Sequence, residues 1–311
     1  MDQQIVPDLL IRNGIVRPMV RSGEWFQGDV VVADGRIAAL SEPAEDEIQA
    51  RQVLDADGAA VLPGFVQAHT HVVQSLLRHQ ADGLELLDWL KDRTWPYEAA
   101  LDSDGVEAAA ELGIAELLSG GTTTALDFGT THDHDRVFRA AERLGIRFVS
   151  GKTHMDTGDQ VPPALLEDRQ RSLADAEDLG IRWHGAAGGR LRYAVAPRFD
   201  LSCTRALLDG CAELARRNGW LLQTHAAENV AEVDAVRELG GCGNIEFLEI
   251  LGLVGDDVVL AHGIHLDGAE IQRLADTGKT ICHCHGSNLK LGSGIADVPR
   301  LRDAGVRVVL G

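Results

Sequence analysis

Val61-Leu-Pro-Gly-Phe-Val-Gln-Ala-His69-Thr-His71 is an apolar run that closes on two histidines one residue apart, and the fold is read outward from it. In a strand, side chains at i and i+2 share a face, so both imidazoles project the same way from the strand's C-terminal end. Two nitrogens are thereby offered to one metal ion. Histidines recur at the ends of later apolar runs, His225 after Leu221-Leu-Gln-Thr and His262 after Val258-Val-Leu-Ala. A single His-x-His is more often structural than not. Four strand-end histidines in one chain reverse that reading and point to a metal centre.

From Val61 onward the pattern repeats as apolar strand, polar turn and amphipathic helix. Strands are expected near 61–68, 122–128, 146–152, 191–196, 220–225, 258–262, 279–284 and 306–311. Helical periodicity fills the gaps, as in Ser103 to Ser119, with Glu107, Glu111 and Glu116 on a polar face, and in Thr204 to Arg217, with leucines at 207, 208 and 214. Eight strands alternating with helices predict a (β/α)8 barrel, in which functional groups gather at the C-terminal strand ends. A doubly wound sheet is the alternative, but the glycine-rich phosphate loop it usually carries after its first strand is missing. Upstream, Asp8–Arg12, Asp29–Ala33 and Arg36–Leu40 read as short strands, the last two joined by Asp34-Gly35, a hairpin signal for a type I′ turn. The expected organisation is a small β domain over residues 1–60 and a barrel over 61–311. The eighth strand ends at Gly311, so the barrel is expected to be incomplete after that strand.

Composition limits the function classes. The hydrophobic fraction of 45% and charged fraction of 25% are ordinary for a globular enzyme, and no apolar run approaches the roughly 18 residues that span a bilayer. With neither a basic nor a long apolar segment at the N-terminus, the chain is expected to be cytoplasmic. A net charge of −19 argues against nucleic acid or anionic lipid as partners, because either needs a basic face to displace counterions. The expected partner is a small-molecule substrate, and self-association into a homo-oligomer stays open. Five cysteines without a C-x-x-C fit a reducing compartment. Cys282-His283-Cys284-His285 looks like a zinc knuckle, but alternate residues on a strand face opposite ways and do not converge on one ion.

These residues resemble the amidohydrolase superfamily, in its branch of purine and nucleoside deaminases and s-triazine hydrolases. The resemblance rests on Pro63-Gly64-Phe65 leading into His69-Thr-His71, Leu86-Leu-Asp-Trp89-Leu with Trp95-Pro-Tyr-Glu98, Ser119-Gly-Gly-Thr-Thr-Thr124, Thr224-His-Ala-Ala-Glu228, Leu260-Ala-His262 and Ser287-Asn-Leu-Lys-Leu291. It implies that residues 1–60 form the N-terminal half of a composite β-sandwich. It also implies one divalent ion, Zn2+ or alternatively Fe2+, held by His69, His71 and His225, with an aspartate after strand 8 expected just beyond Gly311. Such an ion lowers the pKa of a water from about 15.7 toward 7. Glu228 is implied as acid/base and His262 as the group that polarises the attacking hydroxide, while His265 is read as a rim residue. The strand-4 run Arg190–Pro197 lacks the lysine of binuclear members and Lys152 ends strand 3, so a mononuclear site is expected.

For the substrate the resemblance divides. Glu98 aligns with a glutamate that grips ribose hydroxyls and Trp89 with a pocket wall, whereas Gln74, Arg198 and Phe199 resemble the base-binding set of guanine deaminases. The combination is most similar to 5′-deoxyadenosine deaminases, with a guanine-type base next and s-triazine dechlorination or deamination as a third reading. An inactive chain lacking the strand-8 aspartate is the non-enzymatic alternative. Departing from the His-Cys-Pro that the family usually has there, His283-Cys284 is followed by His285, which is expected to reach the pocket mouth.

Overall fold

The computed structural model describes residues 6–42, 48–80, 82–253 and 255–311. Residues 1–5 of the N-terminal reading lie outside the described residues. One compact unit runs to Gly64 and a second from Phe65 to Gly311.

The first unit is a sheet of β1 (Leu9–Val16), β2 (Phe26–Ala33), β3 (Arg36–Ser41), β4 (Gln52–Asp55) and β5 (Ala60–Val61). β2 pairs antiparallel with β1 and β3, while β4 and β5 both lie parallel to β1. Asp34 and Gly35, between β2 and β3, have φ of 51° and 70°. Both are left-handed, as a type I′ turn requires. Leu10, Val16, Val30 and Val31 are buried, whereas Ile37, Val53 and Leu54 are exposed. β4 escapes the sequence reading because Val53 and Leu54 are adjacent and do not alternate.

The second unit holds β6 (Phe65–Thr70), β7 (Thr122–Asp127), β8 (Arg147–Ser150), the two-residue β9 (Thr153–His154), β10 (Leu191–Pro197), β11 (Leu221–Ala226), β12 (Val258–His262), β13 (Thr280–His283) and β14 (Arg307–Leu310). Eight of them pair in parallel in the order β14-β13-β12-β11-β10-β8-β7-β6, with β9 beside β10. The ends of this order approach one another: a Cβ added at Gly311 would lie 2.9 Å from His69 Cβ. The result is a nearly closed TIM-like barrel. One expectation is corrected. The strand read from Val61 begins at Phe65, because Val61 pairs with Val16 in the small sheet and Pro63-Gly64 separates the two strands.

The helix Ser103–Ser119 forms as its periodicity predicts, capped by Asp102, which accepts from Gly105 N. Its buried Val106, Ala109, Ala110 and Ile114 join Val137, Phe138 and Ala141 of the helix His134–Leu144 in the main core. The opposite face is polar, with Glu107 2.8 Å from Arg136 and 2.9 Å from Arg143. Gly113 sits inside this continuous helix because a Cβ there would meet Val72 O at 2.7 Å, so the segment after His71 packs directly on helix backbone. Among the described residues no helix is long and apolar enough to cross a membrane.

Candidate active site at the barrel mouth

β6 delivers His69 and His71, their ring centroids 5.0 Å apart and edge-on. β11, the fifth strand of the barrel, delivers His225 from across the interior, its Nε2 3.2 Å from His71 Nε2. The ligating nitrogens of His69, His71 and His225 all lie within 4.8 Å of one another. The ring of Phe128 backs them, 4.4 Å from that of His225. His225 Nδ1 donates to Arg198 O at 2.7 Å, which fixes the tautomer and turns Nε2 into the cluster. Burial, and then the adjoining imidazoles, hold His69 and His225 well below the ordinary imidazole value, while burial, and then the Arg198 guanidinium, hold His71 at about 3. The three rings are therefore neutral at pH 7, the form that binds a divalent cation.

Beyond His225 the chain turns sharply. Ala227 has φ of 51°, and Ala227 O accepts from Ile264 N at 2.9 Å and His265 N at 3.0 Å, joining the ends of β11 and β12. This turn presents Glu228, which is 3% exposed. Its Oε2 lies 3.2 Å from His262 Nε2, and its Oε1 has no hydrogen-bond partner among the described residues. Burial pushes the Glu228 carboxyl up to about 8. His262 ends β12 with φ of 77°, a left-handed backbone uncommon for any residue with a Cβ. Its Nδ1 donates to Asn288 Oδ1 at 2.7 Å, leaving Nε2 as the acceptor toward a protonated Glu228.

The remaining wall is apolar with one charged pair. Trp89 packs with Leu86, Leu90, Phe199 and Leu291 in a satellite cluster. Arg198 donates to Glu98 through Nη1 at 2.6 Å and Nη2 at 3.3 Å, and Gln74 Nε2 donates to Glu98 Oε1 at 2.9 Å. Gln74, Trp89, Arg198, Phe199, Glu228 and all four strand-end histidines line one cavity of about 680 Å3. Glu98 stands behind Arg198, outside that lining.

Other expected positions fall elsewhere. His265 bonds Ser293 O at 2.7 Å away from the cavity, while His285 lines it. Cys282 and Cys284 turn one way, both sulfurs within 3.1 Å of where a Gly311 Cβ would stand. Cys284 and the rings of His69 and His262 also place their ligand atoms within 4.8 Å of one another. The Lys152 ammonium is engaged by Glu167 at 2.5 Å and Ser172 at 2.9 Å.

Three supporting residues escape the sequence reading. Glu232 accepts the backbone N–H groups of Ala227, Glu228 and Asn229 at 3.1, 2.7 and 3.3 Å, bracing the turn that carries Glu228. Burial, and then the neighbouring Glu228, push it up to about 7. Its signal was available, because Asn229-x-x-Glu232 is a capping box ahead of the helix Val230–Gly240. Asp127 accepts Val72 N at 2.9 Å and Ser150 Oγ at 2.7 Å, fixing the backbone after His71, and burial raises it to about 6. Asn288, on the helix His285–Lys290, lies in the Ser287–Leu291 motif, which pointed to the family and not to a role for this side chain.

The sequence model of the amidohydrolase family matches residues 60–311. The chain is 38% identical over 307 residues to a 5-methylthioadenosine/S-adenosylhomocysteine deaminase of Symbiobacterium thermophilum, covering 97% of this chain and 68% of that protein. It is 35% identical over 306 residues to a 5′-deoxyadenosine deaminase of Methanothermobacter thermautotrophicus, covering 98% and 67%. Among solved structures it is similar to the guanine deaminase of C. acetobutylicum with guanine bound in the active site, with a TM-score of 0.90, 29% identity, and coverage of 97% of this chain and 73% of that one.

Proposed function

Because this chain belongs to the amidohydrolase family, we propose that it hydrolytically deaminates a purine nucleoside of the 5′-deoxyadenosine type, releasing ammonia. One observation carries the reading. Within one cavity, three neutral imidazoles, one buried and two half-buried, converge beside a carboxyl group that burial holds protonated at pH 7.

His69, His71 and His225 fit a divalent cation: their ligand atoms converge, their rings are neutral, and the Arg198 carbonyl orients one of them from behind. Imidazole ligation suits Zn2+, with Fe2+ as the alternative. When bound, such an ion makes water nucleophilic at neutral pH by lowering its pKa toward about 7. Glu228 carries the proton that a ring nitrogen takes up as oxygen adds to the amine-bearing carbon, giving up its contact with His262 Nε2 to deliver it. His262, with Nε2 held as an acceptor by Asn288, is placed to receive a proton from the attacking water. Phe199, Trp89 and the leucines around them exclude solvent and bound the base.

The cavity-facing Arg198 next to Phe199 favours a second reading, a purine base of the guanine type, since a guanidinium offers donors to a carbonyl or ring nitrogen. Ammonia release from 5′-deoxyadenosine, S-adenosylhomocysteine, guanine and a chlorotriazine, each followed by absorbance before and after chelation, separates these readings. Turnover of 5′-deoxyadenosine that chelation abolishes and added zinc restores is the expected result. Flat traces on all four with zinc loaded overturn the proposal.

A further inference from the structure

The resemblance assigns ribose hydroxyls to Glu98, yet the structure commits that carboxylate elsewhere. Oε2 accepts Arg198 Nη1 at 2.6 Å, and Oε1 accepts both Gln74 Nε2 at 2.9 Å and Arg198 Nη2 at 3.3 Å. Three of the roughly four lone-pair sites of the carboxylate are thus filled from within the protein. Glu98 is only 6% exposed and stands outside the cavity lining, whereas Arg198 and Gln74 face the cavity.

We infer that Glu98 is a positioning residue, which locks Arg198 and Gln74 into an electrically neutral wall for the edge of a purine ring, and that ribose hydroxyls are not its ligands. The inference deepens the purine reading above and rests on it. A guanidinium has five N–H donors, and the fork gripped by Glu98 leaves others for a ring acceptor. Gln74 spends its amide N–H on Glu98 and keeps its carbonyl for a ring donor. Since the positive charge of Arg198 is already balanced at contact distance, the wall selects hydrogen-bonding pattern and gives no premium to an anionic ring. With Glu98 neutralised, the same wall would carry an uncompensated cation.

The test is calorimetric titration of the full chain, wild type and Glu98→Gln, with three ligands that it does not turn over. They are hypoxanthine, its riboside 5′-deoxyinosine, and urate, a purine that is anionic at neutral pH. In the variant both neutral ligands should weaken by about tenfold, keeping their ratio within about threefold, while urate should gain about tenfold relative to hypoxanthine. A loss confined to 5′-deoxyinosine, or no relative gain for urate, overturns the inference and leaves the purine reading standing. Failure of the wild type to bind either neutral ligand brings down the purine reading and the inference with it. Should Glu98→Gln not fold, Glu98→Asp keeps the charge but shortens the reach. Parallel loss of the two neutral ligands then supports the inference, and selective loss of the riboside overturns it.

Discussion

Where β11 and β12 end, Glu228 is buried with one oxygen unpartnered and a proton retained up to about pH 8, whereas across the cavity Glu98 is buried against Arg198 at 2.6 Å and accepts from Gln74. Both carboxyl groups are nearly inaccessible. One avoids the cost of buried charge by staying neutral, and the other avoids it by pairing. The difference separates two tasks. A group that must move a proton is left with an empty direction, and a group that must hold a neighbour still has its acceptors filled.

Replacing Glu228 by Gln breaks the first wall most directly. kcat should fall by about 1000-fold, because amide cannot transfer the proton. In the wild type, kcat should decline as pH rises through about 8, where Glu228 loses its proton. Stability should fall in the same direction, over a lower pH range. The folded-state value of about 8 lies above the ordinary 4.5, so the folded protein keeps a proton that the unfolded chain releases. Wild-type stability therefore declines from about pH 4.5 to about pH 8, and metal-free Glu228→Gln, lacking that decline, should melt at a higher temperature near pH 9. Scanning calorimetry of both proteins at acid and alkaline pH checks the crossing.

On the second wall, Arg198→Met removes the ion-pair partner of buried Glu98, and urea unfolding should show a loss of about 3–5 kcal/mol. The double variant Arg198→Met, Glu98→Met should recover most of it. Persistence of the full loss would show that the two side chains do not behave as a pair. A smaller effect is expected from Asn288→Ala, which frees the tautomer of His262. Steady-state kinetics should show kcat down about tenfold with KM little changed. Least affected should be Gly35→Ala, which places a side chain at φ of 70° in the hairpin of the first unit. Denaturant unfolding of that unit should lose about 1 kcal/mol, with kcat unaltered.

The strands of the barrel were legible because each pairs a short apolar run with a polar turn, a pattern that burial imposes directly on sequence. The histidines were legible for the same reason, since position at a strand end is a property of local sequence. Partners fixed by tertiary geometry were not. Gln74, Glu98 and Arg198 were each identified singly, but nothing in their spacing announces that Arg198 would spend its fork on Glu98, 100 positions earlier. Asn288 reaches His262 across 26 residues, and Asp127 reaches Val72 across 55. Glu232 lay between these cases, because its capping-box spacing is local although its grip on Ala227 and Glu228 is a feature of the fold. The boundary error at Val61 has a simple origin too: an apolar run has no mark showing where one sheet stops and the next begins.

The left-handed backbone at His262 narrows what mutation can explore there. Most side chains are strained in that conformation, and glycine, asparagine, aspartate and histidine are the ones that tolerate it. Random libraries at this codon should consequently return folded variants dominated by those four, with valine and isoleucine depleted irrespective of any selection for turnover. A change of chemistry at this strand end is thus filtered by foldability before catalysis is ever assayed.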